Sequence, residues 1–126
     1  DYVPFQSLLP RACAVVHHGG VGTTSQALLA GVPTLIVPFA FDQSDNAEHA
    51  FRIGTSRTLY RKNYQAAKVA NELEELLRHP YYSQRALEVS QRLKRENGPA
   101  RAADLIEQVL SGRPSGPEKV ARASGN

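Results

Sequence analysis

The sequence predicts an α/β fold built on a parallel sheet, and three observations predict it. Two short apolar runs, Ala14-Val15-Val16-His17 and Pro33-Thr34-Leu35-Ile36-Val37-Pro38-Phe39, are β-branched and bounded by Gly or Pro, as buried strands are. Between them, Thr23 to Ala30 reads as a short helix that opens on threonine and stops at Gly31, with Pro33 forbidding its continuation. Strand, helix and strand within about 26 residues is the spacing of a parallel βαβ crossover.

A second helix follows the second strand. Ser44 reads as its N-cap, Asp45 and Glu48 suit its positive end, and Gly54 closes it. Ala47, Ala50 and Phe51 form its apolar face, and Thr58-Leu59-Tyr60 reads as a short third strand. From Asn63 the pattern turns helical. Val69, Leu73, Leu76 and Leu77 recur at i, i+4, i+7 and i+8, and Pro80 ends that helix. Ala86, Val89 and Leu93 mark another, closed by Asn97-Gly98-Pro99. Ala102, Leu105, Ile106, Val109 and Leu110 mark a last one. Two or three strands fall short of the roughly five or six of a doubly wound domain. The βαβ unit therefore reads as part of a parallel sheet whose earlier strands are missing.

With 126 residues, 41% hydrophobic and 21% charged, the composition is that of a globular domain rather than a disordered or membrane chain. No apolar run approaches the ~20 residues of a membrane span, and no signal-peptide pattern opens the sequence. There is no methionine, and the chain begins Asp1-Tyr2-Val3-Pro4, as expected of a processed chain, an excised domain or a fragment. One cysteine excludes an internal disulfide framework and fits a reducing, cytoplasmic setting. Cys13 reads as a small buried side chain beside the first strand. With His17 and His18 it does not complete a four-ligand metal set, so no metal site is expected.

The net charge of +3 is concentrated away from any folded face. Arg113, Lys119 and Arg122 oppose only Glu118 in residues 111–126, a segment opened by Ser111-Gly112-Arg113-Pro114-Ser115-Gly116-Pro117. That segment reads as a flexible tail and residues 1–110 as the folded part. No basic stripe with interleaved aromatics appears, so nucleic acid is not an expected partner.

The informative stretch is His17-His18-Gly19-Gly20-Val21-Gly22-Thr23-Thr24, where a strand ends and a helix begins. Glycines there let backbone approach a ligand closely, and the helix start offers unpaired N–H groups and partial positive charge. With the threonine hydroxyls these make a site suited to phosphate. Three glycines alone are equally well read as a tight turn with capping threonines. A P-loop is excluded because no lysine follows the glycines. The dinucleotide fingerprint is demoted because Ser25 stands at its third glycine, although Asp42, twenty residues after Gly22, lies where a ribose-binding acid would sit.

A second polar cluster, Phe41-Asp42-Gln43-Ser44-Asp45-Asn46, follows the second strand, again at a carboxyl end. In an open parallel sheet ligands bind at that edge, so the two clusters would face one crevice. Asp42 and Gln43 can accept from and donate to adjacent hydroxyls, as in sugar binding. Taken alone, the cluster is an Asp-containing turn leading into a capped helix.

Together, His18-Gly19-Gly20-x-Gly22-Thr23, then Ala30-Gly31-Val32-Pro33, then Pro38-x-x-x-Asp42-Gln43-x-x-Asn46-Ala47, resemble the donor-binding signature of the UDP-glycosyltransferase family. Tyr2-Val3-Pro4 and Leu8-Leu9-Pro10 resemble its opening, so the likeness covers residues 2–54, with helices 63–110 suiting the end of the same domain. The paired histidines and Gly22 are nearer to the sterol and antibiotic branches. The resemblance implies a Rossmann-like sheet, here the C-terminal half of the donor domain of a two-domain (GT-B) glycosyltransferase.

It also implies roles. His18, Gly19, Gly20, Gly22, Thr23 and Thr24 would bind the donor diphosphate. Asp42 and Gln43 would hold the hexose, and Tyr2, Val3 and Gln26 the nucleoside. His17 would pack or support the strand end. Tyr2 stands where the family usually has tryptophan, Phe5 where it has glutamine, and Gln26 where many members have a ribose-binding glutamate.

The implied activity is transfer of a hexose from a UDP-type sugar to an acceptor hydroxyl on a lipophilic small molecule. No metal or other cofactor is implied. The catalytic base and the acceptor site would belong to an N-terminal domain, leaving this chain alone inactive. The rival readings are a non-catalytic diphosphate-binding module and an NAD-dependent dehydrogenase fragment.

Overall fold

The structure, a computed structural model, describes residues 3–96. Three strands, β1 (Val15–His17), β2 (Thr34–Ile36) and β3 (Ser56–Thr58), form a sheet in the order β1-β2-β3. Both pairings are parallel, with Val15 beside Thr34 and Thr34 beside Ser56. α2 (Val21–Ala30) connects β1 to β2, and α3 (Gln43–Arg52) connects β2 to β3. The carboxyl ends of all three strands therefore share one edge of the sheet. A short α1 (Phe5–Leu8) and a 3-10 turn (Leu9–Arg11) precede β1; a second 3-10 turn (Arg61–Asn63) leads into α4 (Ala66–Arg78) and α5 (Pro80–Glu96).

The sheet is buried on both faces at its centre, as a parallel sheet requires. Alternation along β2 and the residues after it divides the core in two. Leu35 and Val37 pack with Leu59 and Leu76, flanked by Val69, Leu73 and Tyr82. Ile36 packs instead with Ala47 and Ala50 of α3. α5 crosses α2, where the Ser90 hydroxyl donates to the Leu29 carbonyl at 2.6 Å. Gly31 lies there in the left-handed region (φ 72°), and a Cβ on it would stand 3.2 Å from Ser90 Cβ. Its N–H returns to Leu28, and that of Val32 to Ala27, so the predicted stop of α2 closes the helix carbonyls. Arg57 of β3 donates to Glu72 of α4 and to the Tyr82 hydroxyl of α5. The hydrogen bond to Glu72 is the main reason its pKa is raised above the ordinary value.

Several expectations are corrected. α2 begins at Val21, not at Thr23, because Gly20 already has the extended geometry of the residue that precedes a helix. α3 begins at Gln43, one residue before the expected cap Ser44; Asp42 occupies the cap position, but its side chain caps no backbone N–H of the helix. β3 lies at 56–58 rather than 58–60, since Thr55 and Ser56 are drawn under α3 and fully buried. Phe51 is exposed, because the two alanines of α3 set its close approach to the sheet and leave Phe51 at the flank with Arg57 and Tyr60. Leu77 is exposed too, the buried stripe of α4 being only as wide as Val69, Leu73 and Leu76. Val16 is 45% exposed and Cys13 is exposed, since β1 is an edge strand among the described residues. The expected Asn97-Gly98-Pro99 stop, the last helix and the tail 111–126 lie outside the described residues, as does Tyr2.

Candidate functional site

The site grows from the end of β1. His17 closes the strand, and its Nδ1 accepts the Gly19 N–H at 3.0 Å. The acceptor nitrogen is therefore unprotonated and the proton sits on Nε2, which is buried without a partner among the described residues. Burial, and then the neighbouring His18, lower the His17 pKa to about 4, so the ring is neutral near pH 7. Gly19 turns with φ 91°, and a Cβ there would stand 2.9 Å from Ile36 Cγ2 and 3.0 Å from the Gln43 carbonyl oxygen. Only glycine suits both the angle and the space.

His18 is exposed beside the start of α2. A Cβ on Gly20 would lie 2.8 Å from His18 Nε2, so the bare backbone of Gly20 is what lets the imidazole sit over the turn. Gly22 differs: among the described residues nothing lies within 4 Å of the place a Cβ would occupy. The N–H groups of Val21, Gly22 and Thr23 open α2 and have no partner within the helix. They present the partial positive charge of a helix start. Thr24 is spent on the turn itself, since both its N–H (3.0 Å) and its hydroxyl (2.8 Å) donate to the Gly20 carbonyl. Of the two threonine hydroxyls expected at a phosphate, that of Thr24 is already engaged in the turn.

The second cluster lies at the end of β2. Phe41 adopts φ 58° and is 95% exposed, a backbone state costly for a bulky residue and concentrated at functional loops. Gln43 turns back on the loop: its Oε1 accepts the N–H groups of Phe39 (2.8 Å) and Ala40 (3.1 Å). That leaves the Gln43 amide to donate but its oxygen engaged. Asp42 is exposed, with one carboxylate oxygen accepting from Asn46 Nδ2 at 3.0 Å. The same Asn46 nitrogen donates to the Gly19 carbonyl at 2.9 Å. The two predicted clusters therefore meet at one carboxamide.

The structure thus brings His18, the turn Gly19–Thr23, Asp42 and Gln43 to the same sheet edge. Val3 is exposed near α1, and Gln26 is half-buried one helical turn beyond Gly22 on the same side of α2. No hydrogen bond among the described residues joins either to the turn. A cavity of about 550 Å³ reaches from Phe5, Leu8 and Ala12 to His18 and Thr23. Because α2 starts two residues earlier than expected, the Val21 N–H also opens onto the turn, and the Arg61 guanidinium lies 5.3 Å from the Phe39 ring centroid. Among the described residues, no three or more His, Cys, Asp or Glu side chains gather as a metal site would require.

Residues 1–109 match the family described as erythromycin biosynthesis protein CIII-like, C-terminal domain. The chain belongs to this family of UDP-glycosyltransferase C-terminal domains. It is 39% identical over 110 residues to the elloramycin glycosyltransferase ElmGT of Streptomyces olivaceus, covering 87% of this chain and 27% of that protein. To a sterol 3-beta-glucosyltransferase of Eremothecium gossypii it is 38% identical over 109 residues, 86% of this chain and 9% of that one. Among solved structures it is similar to the glycosyltransferase VinC in complex with DTDP, with a TM-score of 0.68 and 33% identity over 72% of this chain and 23% of that chain. The chain spans about a quarter of the length of the bacterial relatives it matches.

Membership in the CIII-like C-terminal family agrees with the sheet. The described residues are a partial Rossmann-like parallel sheet with helices, as in the C-terminal portion of GT-B glycosyltransferases. The likeness to both antibiotic and sterol glycosyltransferases matches the branch that the paired histidines and Gly22 resemble. Among the described residues no helix is long and apolar enough to cross a membrane.

Proposed function

We propose that this chain carries the donor-binding half of a glycosyltransferase that moves a hexose from a nucleoside diphosphate to an acceptor hydroxyl. One observation carries the reading: a helix start with free N–H groups and an adjacent imidazole is tied, through Asn46, to an exposed carboxylate at the same sheet edge. The diphosphate sits against the N–H groups of Val21, Gly22 and Thr23, the Thr23 hydroxyl and His18. Asp42 accepts from hexose hydroxyls, and the Gln43 amide donates to them. The nucleoside runs toward Val3, Gln26 and the cavity beside Phe5, with Tyr2 at its end.

As the sugar–phosphate bond breaks, negative charge grows on the departing diphosphate. Fixed donors already aimed there stabilise that charge without reorganising. The reading includes no metal or other cofactor. The base that deprotonates the acceptor, and the acceptor site itself, lie on another domain, so the 126-residue chain alone has no transferase activity. The single cysteine supports a cytoplasmic setting.

Calorimetric titration of the chain with UDP, UDP-glucose, dTDP-glucose and NAD tests the reading. Binding of either sugar nucleotide, with none of NAD, is expected. Binding of NAD alone would favour a dehydrogenase fragment and overturn it, as would binding of a nucleoside diphosphate that a sugar does nothing to alter.

A further inference from the structure

We propose that Asn46 is a positioning residue that locks the Asp42 carboxylate to the glycine turn and so sets the spacing between the sugar and diphosphate subsites. The inference rests on the nucleotide-sugar reading above. Asn46 is the fourth residue of α3, where asparagine is a poor helix former because its side chain competes for backbone groups. Here it is half-buried and does something no apolar residue could. Its Nδ2 donates to the Gly19 carbonyl at 2.9 Å and to the Asp42 carboxylate at 3.0 Å. Both partners accept only, so both amide protons are used and the orientation of the carboxamide is decided by its neighbours.

Each end of this bridge is itself restrained. Gly19 is held at its N–H by His17 and at its carbonyl by Asn46, which fixes both peptide planes of the φ 91° residue. Asp42 keeps its other carboxylate oxygen for a ligand, since no bond among the described residues uses it. A nucleoside diphosphate would touch the turn and the nucleoside contacts but not Asp42. A nucleotide sugar would touch the turn and Asp42 together, so only the sugar nucleotide depends on the distance between them. Residues 27 apart in sequence are thereby set against one another by a single side chain.

The test compares wild type, Asn46→Ala, Asp42→Asn and the double variant, by calorimetry with the sugar nucleotide that wild type binds (UDP-glucose or dTDP-glucose) and with the corresponding diphosphate. Asn46→Ala is expected to weaken the sugar nucleotide at least about tenfold and the diphosphate less than about threefold, since it frees a hydrogen bond to a charged group. The double variant should bind no more weakly than Asp42→Asn, because Asn46 acts through Asp42. Equal losses for both ligands, or additive losses in the cycle, would show a general structural role and overturn the proposal. If Asn46→Ala does not fold, Asn46→Ser, which keeps one donor, takes its place with a partial loss expected. If wild type binds neither ligand, the functional reading falls and the lock is judged without ligand: Asn46→Ala should expose the amides of Gly19 and Gly20 to faster hydrogen exchange while those of β3 and α4 are unmoved. Unchanged exchange at the turn overturns the lock.

Discussion

His17 Nδ1 and the Gly19 N–H lie 3.0 Å apart, and this bond requires a neutral imidazole. The folded pKa of about 4 lies below the ordinary value of 6.5, through burial and then through His18. Between those values the unfolded chain binds the proton and the folded chain does not. The contribution is therefore fully present above about pH 6.5, is lost as pH falls toward 4, and does not change further below it. Because the ring is partly solvated, the loss is discounted to about 1–2 kcal/mol. Urea unfolding from pH 7.5 to 4, for wild type and His17→Asn, should show this component only in wild type. An imidazole titration by NMR with a midpoint near 6.5 would contradict the account.

Gly19 and Gly22 should respond oppositely to alanine. Gly19→Ala forces a Cβ against Ile36 and the Gln43 carbonyl at a left-handed φ, and is expected to cost about 1–3 kcal/mol or more. Gly22→Ala meets nothing and gains helix propensity, so it should leave stability unchanged or raise it by no more than about 1 kcal/mol. Yet it should weaken diphosphate binding, because the methyl group enters the space the ligand is proposed to use. Thermal melts and titrations with UDP on the two variants separate the effects.

The two threonines offer a sharper contrast. Thr24 already spends its hydroxyl on Gly20, whereas the Thr23 hydroxyl has no such partner among the described residues. Thr23→Val is expected to weaken UDP binding by roughly tenfold, the scale of a hydrogen bond to a charged group. Thr24→Val should change affinity little and instead loosen the first turn of α2, visible as faster amide exchange. A larger affinity loss at Thr24 than at Thr23 would mean that the turn rearranges when ligand arrives.

Gln43 has two jobs that substitutions can divide. Gln43→Glu keeps an oxygen for the Phe39 and Ala40 N–H groups but loses the donor proposed for the sugar. It should fold normally and bind a sugar nucleotide less well while holding the diphosphate nearly as before. Gln43→Ala also frees two backbone N–H groups at an exposed loop, where water replaces the bonds, and should cost about 0.5–1.5 kcal/mol. Paired melting and calorimetry measure both.

The strands, α2, the Gly31 stop and the polar residues at the two strand ends were legible because they depend on local properties. Glycine conformations, proline restrictions and the alternation of apolar side chains act within a few residues and leave a pattern in the chain. The family resemblance rests on short motifs of this kind, ordered along residues 2–54. Errors arose where burial was decided by distant neighbours. Cys13 and Phe51 have the composition of interior residues but lie at an edge strand and at a helix flank.

By itself, then, the sequence determined the order of elements, the parallel βαβ arrangement and which residues would gather at one sheet edge. Only the tertiary structure decided how those residues divide the work. It showed Thr24 consumed by Gly20, the Gln43 oxygen consumed by its own loop, and Asn46 joining Gly19 to Asp42. The physical reason is that a hydrogen-bonding group serves few partners at once. Which partner it takes depends on distances of about 3 Å between atoms that the chain brings together only when folded.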